Sequence, residues 1–174
     1  MPFRDLAHLK EALRDDDAAQ SDDKPLPLVL VVDDDPNIRR SLELLLQPRY
    51  RVRTCADGAE ALAAIDETVA VVVLDVKMTG LDGFAAYKEM RAKDVDLPII
   101  FYSAYQDVKD PYEIMNEYRP FGYITKGADH TILLRSIAAA VEQRQRATRH
   151  RDLIANLASL EAQMQALKKR LSGG

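Results

Sequence analysis

The sequence has a single cysteine, Cys55, in 174 residues. It can form no internal disulfide, which agrees with a reducing compartment rather than a disulfide-held secreted scaffold. Cys55 reads as a small core residue, with a reactive thiol as the alternative. Long apolar runs are also lacking. The longest, around Leu28–Val32 and Val69–Leu74, have the length of single strands and fall far short of the roughly 20 residues that span a membrane. The N-terminal stretch MPFRDLAHLKEALRDDD is charged throughout and has no apolar centre of a signal peptide. These absences imply a cytoplasmic protein with no membrane contact. A strong basic excess is missing too: the net charge of −4 argues against general nucleic-acid binding. Neither glycine nor proline occurs between Ala128 and Ser172, so nothing there interrupts a helix.

What is present is enough for one domain with a core, plus extensions. Apolar residues make up 47% and charged residues 30%, the balance of a globular chain. Residues 1–25 read as a short amphipathic helix, with Phe3, Leu6, Leu9 and Leu13 at helical spacing, followed by an acidic linker. Residues 26–141 alternate apolar runs with amphipathic ones. The runs LPLVLVVD, YRVRTC, VAVVVLD, LPIIFYS and FGYIT predict strands. Pro36–Leu46, Ala59–Ile65, Gly83–Arg91, residues 110–118 and a stretch beginning near Asp129 predict helices. Five strand–helix repeats predict an α/β fold, a parallel sheet with helices on both faces. Strands 1, 3 and 4 are almost wholly apolar, as burial on both faces requires.

In an open parallel sheet, ligands bind beyond the carboxyl ends of the strands. The first strand ends in Asp33, Asp34 and Asp35, the third in Asp75, the fourth in Ser103, the fifth in Thr125 and Lys126. Asp35 precedes Pro36 and reads as an ordinary helix cap. Asp33 and Asp34 follow an apolar strand directly, where unpaired carboxylates are costly to bury. A cation relieves that cost, and a cluster of hard oxygen ligands suits Mg²⁺. Asp75, Ser103 and Lys126 each have a bland reading alone, as a turn aspartate, a cap and a solvated lysine. Their joint placement at strand ends points to one site.

The segments VLVVDDDPNIRRSLELL, VVVLDVKMTGLDGF, LPIIFYSAY and FGYITKGAD resemble the signature regions of bacterial two-component receiver domains, over residues 27–141. The resemblance implies a flavodoxin-like fold with strand order 2-1-3-4-5. It also implies a response regulator that takes a phosphoryl group from a sensor histidine kinase or phosphotransfer protein, with only self-directed transfer and hydrolysis as chemistry. Position by position, it assigns Asp33 and Asp34 to the acidic pair that holds Mg²⁺. Asp75 becomes the phosphoacceptor and a further metal ligand, with the Lys77 backbone carbonyl completing the set. Ser103 becomes the hydroxyl, and Lys126 the ammonium, that engage the phosphoryl group. Ser103 and Tyr123 become the switch residues. Three positions depart from the usual pattern: Gly127 and Thr79 stand where proline is common, and Lys77 puts a basic side chain beside the site. The loop at Gly127 is therefore expected to be looser or differently shaped.

Residues 142–171 show only a helical pattern. Leu153, Leu157, Leu160, Met164, Leu167 and Leu171 are spaced 4, 3, 4, 3 and 4 apart, the seam of a coiled coil. A homodimer through residues 150–171 is expected, signalling to a downstream protein target. The alternative is that the stripe packs back on its own domain or on the N-terminal helix. Arg144, Arg146, Arg149 and Arg151 cluster before the seam; they suit a solvated face, a dock for the acidic N-terminal segment, or DNA phosphates. No nucleic-acid-reading motif accompanies them, so a DNA-binding regulator is the weaker reading. The same pattern would also suit a receiver module of a longer hybrid kinase or cyclic-nucleotide signalling enzyme. A degenerate receiver serving only as scaffold would not need the strand-end residues that this chain retains.

Overall fold

The computed structural model describes residues 25–104 and 110–172. The expected N-terminal helix and acidic linker lie outside the described residues. The elements run β1 (Leu28–Val32), α1 (Pro36–Leu46), β2 (Arg51–Cys55), α2 (Gly58–Ala64), β3 (Val69–Leu74), α3 (Gly83–Lys93), β4 (Ile99–Ser103), α4 (Pro111–Glu117), β5 (Gly122–Thr125) and α5 (His130–Ser172). All strand pairs are parallel, in the order β2-β1-β3-β4-β5. This is the predicted order.

Every residue of β1, β3 and β4 is buried, so these strands need apolar side chains on both faces. Successive residues alternate between two cores. Leu28, Leu30 and Val32 join Leu62, Met90 and Phe101 under α2 and α3. Val29 and Val31 join Leu42, Leu46, Leu133 and Ile137 under α1 and α5. Cys55 is buried in the first of these cores. Its burial, with Glu60 nearby, pushes the thiol up to about 11, so at neutral pH it is protonated and inert.

Each helix opens after an aspartate. Asp35, Asp57, Asp82, Asp110 and Asp129 accept hydrogen bonds from the backbone N–H groups of Asn37, Glu60, Ala85, Tyr112 and Thr131 at 2.8–2.9 Å. Each cap satisfies a donor the helix leaves open. Three helices differ by one or two residues from expectation, α4 being one residue shorter at each end. Asp57 caps directly, so α2 starts at Gly58; α3 runs on to Lys93, whose ammonium caps the Leu62 carbonyl at 2.6 Å.

The C-terminal helix is continuous over 43 residues, about 65 Å at 1.5 Å per residue. Its first third is part of the domain: Leu133, Ile137, Ala140, Val141 and Arg144 are buried. From Thr148 to Arg170 every residue is exposed, so no described part of the domain covers the leucine stripe. Arg144 does not belong to a free basic face. It makes a two-pronged contact with Asp94, the C-cap of α3, with Nη1 donating to Oδ1 at 3.1 Å and Nη2 donating to Oδ2. Desolvation raises the Asp94 pKa, but the Arg144 guanidinium outweighs it and leaves it lowered. Among the described residues no helix is long and apolar enough to cross a membrane.

Candidate functional site

The site lies at the carboxyl ends of β1, β3, β4 and β5. The ladder continues one residue past β1 and β3: Asp75 N–H donates to Val32 O at 2.8 Å, and Asp33 N–H to Cys55 O at 3.2 Å. Two aspartates thus stand side by side on neighbouring strands, 1% and 3% exposed. Lys126, just past β5, joins them: its Nζ lies 2.8 Å from Asp33 Oδ2 and 2.7 Å from Asp75 Oδ2. Its own N–H is anchored to Ser103 O at 2.8 Å. Ser103, fully buried, ends β4 opposite Thr125.

The charges are finely opposed. Burial raises the Asp75 pKa; the Lys126 hydrogen bond lowers it and Asp33 raises it again, leaving it raised. Burial alone pulls Lys126 down, but its contacts with Asp33 and Asp75 prevail and hold it above its ordinary value. Lys126 is therefore a firm cation, facing two carboxylates that compete for it.

The acidic pair is held by contacts that sequence reasoning missed. Arg39, one turn into α1, donates Nη1 to the carbonyls of Asp33 at 2.7 Å and Asp34 at 3.0 Å. Asp33 Oδ1 accepts the Asp35 N–H at 3.0 Å. The exposed Asp34 is held by Thr79: its Oδ2 accepts both the Thr79 N–H at 3.0 Å and the Thr79 hydroxyl at 2.8 Å. Those bonds lower the Asp34 pKa. Proline at position 79 could supply neither donor. The only sequence signal is that departure from the usual pattern.

The loop after β3 closes on itself through Gly83 N–H to Val76 O at 2.8 Å. A Cβ at Gly83 would fall 2.1 Å from the Asp75 carbonyl oxygen and 2.7 Å from Val76 Cα, so the start of α3 is pressed against the backbone of Asp75. Lys77 is exposed, and its N–H reaches Asp75 Oδ1 at 3.4 Å. Tyr123 is half-buried in β5 beside Phe101 and packs on the core that holds Phe84 and Tyr118. Gly127 adopts φ +86°, a conformation closed to proline; this is how its loop differs.

Asp33, Asp34 and Asp75 each offer an oxygen within 4.8 Å of the others. Asp33 Oδ2 is buried and pairs with Lys126 Nζ at 2.8 Å. Three carboxylates gathered at one edge carry more negative charge than that single ammonium offsets, and such a cluster of hard oxygen donors fits a divalent cation of the Mg²⁺ type.

Residues 29–138 match the family described as response regulator receiver domain, and the chain belongs to that family. Receiver domains are phosphoacceptor switches of two-component systems. Among curated relatives, the probable transcriptional regulator ycf27 of Cyanophora paradoxa is 49% identical over 84 residues, covering 47% of this chain and 35% of the relative. The C4-dicarboxylate transport transcriptional regulatory protein DctD of Rhizobium meliloti is 29% identical over 129 residues, covering 73% and 28%. The chain spans about a third of the length of the curated relatives it matches. Among solved structures, the response regulator TrrA of Thermotoga maritima, in complex with Mg²⁺ and BeF, is 29% identical with a TM-score of 0.59, covering 66% of this chain and 99% of that one. An adenylate cyclase structure from Rhodopirellula baltica is 26% identical with a TM-score of 0.67, covering 75% and 98%.

Proposed function

We propose that this protein is a response regulator that accepts a phosphoryl group on Asp75 from a sensor histidine kinase or phosphotransfer protein. The observation that carries the reading is Lys126 Nζ lying within 2.8 Å of both buried carboxylates, Asp33 and Asp75. An Asp75 oxygen attacks the phosphorus, the P–N bond of the donor phosphohistidine breaks, and its electron pair leaves on the imidazole nitrogen. A carboxylate approaches an anionic phosphoryl group only if their repulsion is offset. Lys126 offsets part of it and stabilises the charge that develops. Asp33, Asp34, Asp75 and the Lys77 carbonyl would hold Mg²⁺, which when bound supplies the remaining positive charge. The product is an aspartyl phosphate. Its new charge draws the Ser103 hydroxyl and Lys126 toward it, and Tyr123, on the strand that leads to Lys126, moves with the change. A groove of about 560 Å³ beside Lys126, lined by Ile38, Leu42, Leu45, Tyr102 and Gly127, suits the apolar face of a donor protein.

The output is a homodimer through residues 150–171, presented to a downstream protein. Leu153, Leu157, Leu160, Met164 and Leu167 are each more than half exposed. Covering them at about 1 kcal/mol each on two helices gives on the order of 10 kcal/mol against association costs of about 4–15. The dimer is therefore marginal and open to regulation. A second reading, a module of a longer signalling enzyme, is favoured by the likeness to the adenylate cyclase structure. Nucleic-acid binding through the arginines is disfavoured, because Arg144 is committed to Asp94.

The test is phosphoryl uptake from a small phosphodonor, read by intact mass. Uptake by the wild type with Mg²⁺, and none by Asp75→Asn or with a chelator, is expected. Equal labelling of Asp75→Asn would sink the assignment. Sedimentation with and without a beryllofluoride mimic then reads whether Asp75 controls assembly.

A further inference from the structure

The two apolar stripes of α5 lie on opposite sides of the helix. At 3.6 residues per turn each residue advances about 100°. Leu133, Ile137, Ala140 and Arg144, which face the domain, fall within about 60° of one another by that count. The seam from Leu153 to Leu167 centres roughly 190° round from them. Burial agrees with this geometry. On the seam side of the domain-bound segment stand Arg135, Ala139, Glu142, Arg146 and Arg149, all exposed. Below the domain, the side that continues the buried stripe carries Arg151, 4.0 Å from Asp96, and Ala155, Ala158 and Ala162.

We propose that the seam binds a second copy of this chain in parallel, so that the two receivers ride on the outer backs of the coiled coil and do not form its interface. This rests on the coiled-coil reading given above. Three observations support it. The 4-3 spacing of the seam is self-complementary, so a second copy supplies the matching knobs. In a parallel pair the flanking positions bring Asn156 against Glu161 and Gln163 against Lys168, with no like charges opposed. Full antiparallel overlap would set Glu161 against Glu161 of the second copy. Above the seam, at the next two core positions, stand His150 and Arg146. Arg146 would meet its own copy there, so the zipper stops short of the receivers. Each receiver then keeps its phosphorylation site and its β4–β5 side available to a partner.

Disulfide trapping tests this in the full chain. Cys55 is buried and protonated, so an introduced cysteine reports alone. Leu157→Cys and Met164→Cys should each link to their own copy rapidly under mild oxidation, and Ala158→Cys and Ala162→Cys about tenfold more slowly or less. Sedimentation of the unoxidised variants reads assembly separately. A monomer at all concentrations overturns the coiled-coil reading itself. A dimer whose seam cysteines do not self-link overturns the parallel arrangement. A dimer that links as fast through Ala158→Cys as through Leu157→Cys overturns the outward placement of the receivers.

Discussion

The two halves of α5 carry the same kind of apolar repeat and meet opposite fates. Near the domain, Leu133 and Ile137 are 1% and 0% exposed, buried against the sheet. Beyond Ala147, Leu153 through Leu167 stand 53–57% exposed on an uncovered helix. The helix itself is identical in kind throughout. What differs is whether the rest of the chain supplies a surface for it, and the comparison teaches that an apolar stripe specifies helix and face but not partner. In the first half the sheet decides; in the second, nothing described in this chain does.

The largest contrast should come from paired truncations. Ile137→Ala removes a fully buried side chain and should cost about 2–5 kcal/mol of unfolding free energy in urea. Leu160→Ala, on the same helix, should leave the unfolding of the dilute monomer within about 0.5 kcal/mol, while weakening any dimer. Equal losses from both would break the contrast, since they would mean that the seam is already covered within one chain.

Between the two halves sits Arg144, buried though charged. Arg144→Ala leaves the part-buried Asp94 carboxylate without its guanidinium partner, with the Asp96 N–H still donating to it at 3.0 Å, and should cost about 2–4 kcal/mol. The pair also has a pH signature. The folded-state pKa of Asp94 is depressed, so its contribution is fully present above the ordinary carboxylate range, about pH 4, and is lost as pH falls through the lower folded value. The wild type should therefore exceed Arg144→Ala in stability most clearly above that range, and the two unfolding free energies should converge below it. A constant difference down to the lowest pH would mean that Arg144 acts by packing alone.

The smallest effect belongs to the site. Thr79→Val keeps the backbone donor to Asp34 and removes the hydroxyl. It should weaken Mg²⁺ binding about threefold to tenfold by calorimetry, roughly 0.7–1.4 kcal/mol, with Thr79→Ser restoring it. Unchanged affinity would show that Asp34 needs no help in finding its position.

Much of this is legible in the sequence because the relevant signals are local. Apolar runs such as VAVVVL announce a strand buried on both faces, and each helix follows an aspartate that can cap it. The strand-end residues Asp33, Asp75, Ser103 and Lys126 can be picked out because a parallel sheet gathers its carboxyl ends on one edge. The supporting contacts cannot. Thr79 with Asp34 joins residues 45 apart, and Arg144 with Asp94 residues 50 apart. Neither has a periodicity to betray it, and both depend on how loops and helices come to rest. For that reason the sequence alone leaves Arg144 among the exposed arginines. Arg39 is closer to reach: lying one turn after the cap at Asp35, it is placed to fold back over the acidic turn.

The tight seat of Gly83 has a mechanical meaning. One end of α3 abuts the Asp75 carbonyl with no room even for a methyl group. The other end, about 16 Å away along 11 residues, grips Arg144 on α5 through its C-cap, Asp94. The helix is thus held at both ends, pressed against the backbone of Asp75 at one and tied at the other to α5 where that helix leaves the domain, so the strand end that carries Asp75 and the long helix share one rigid neighbour.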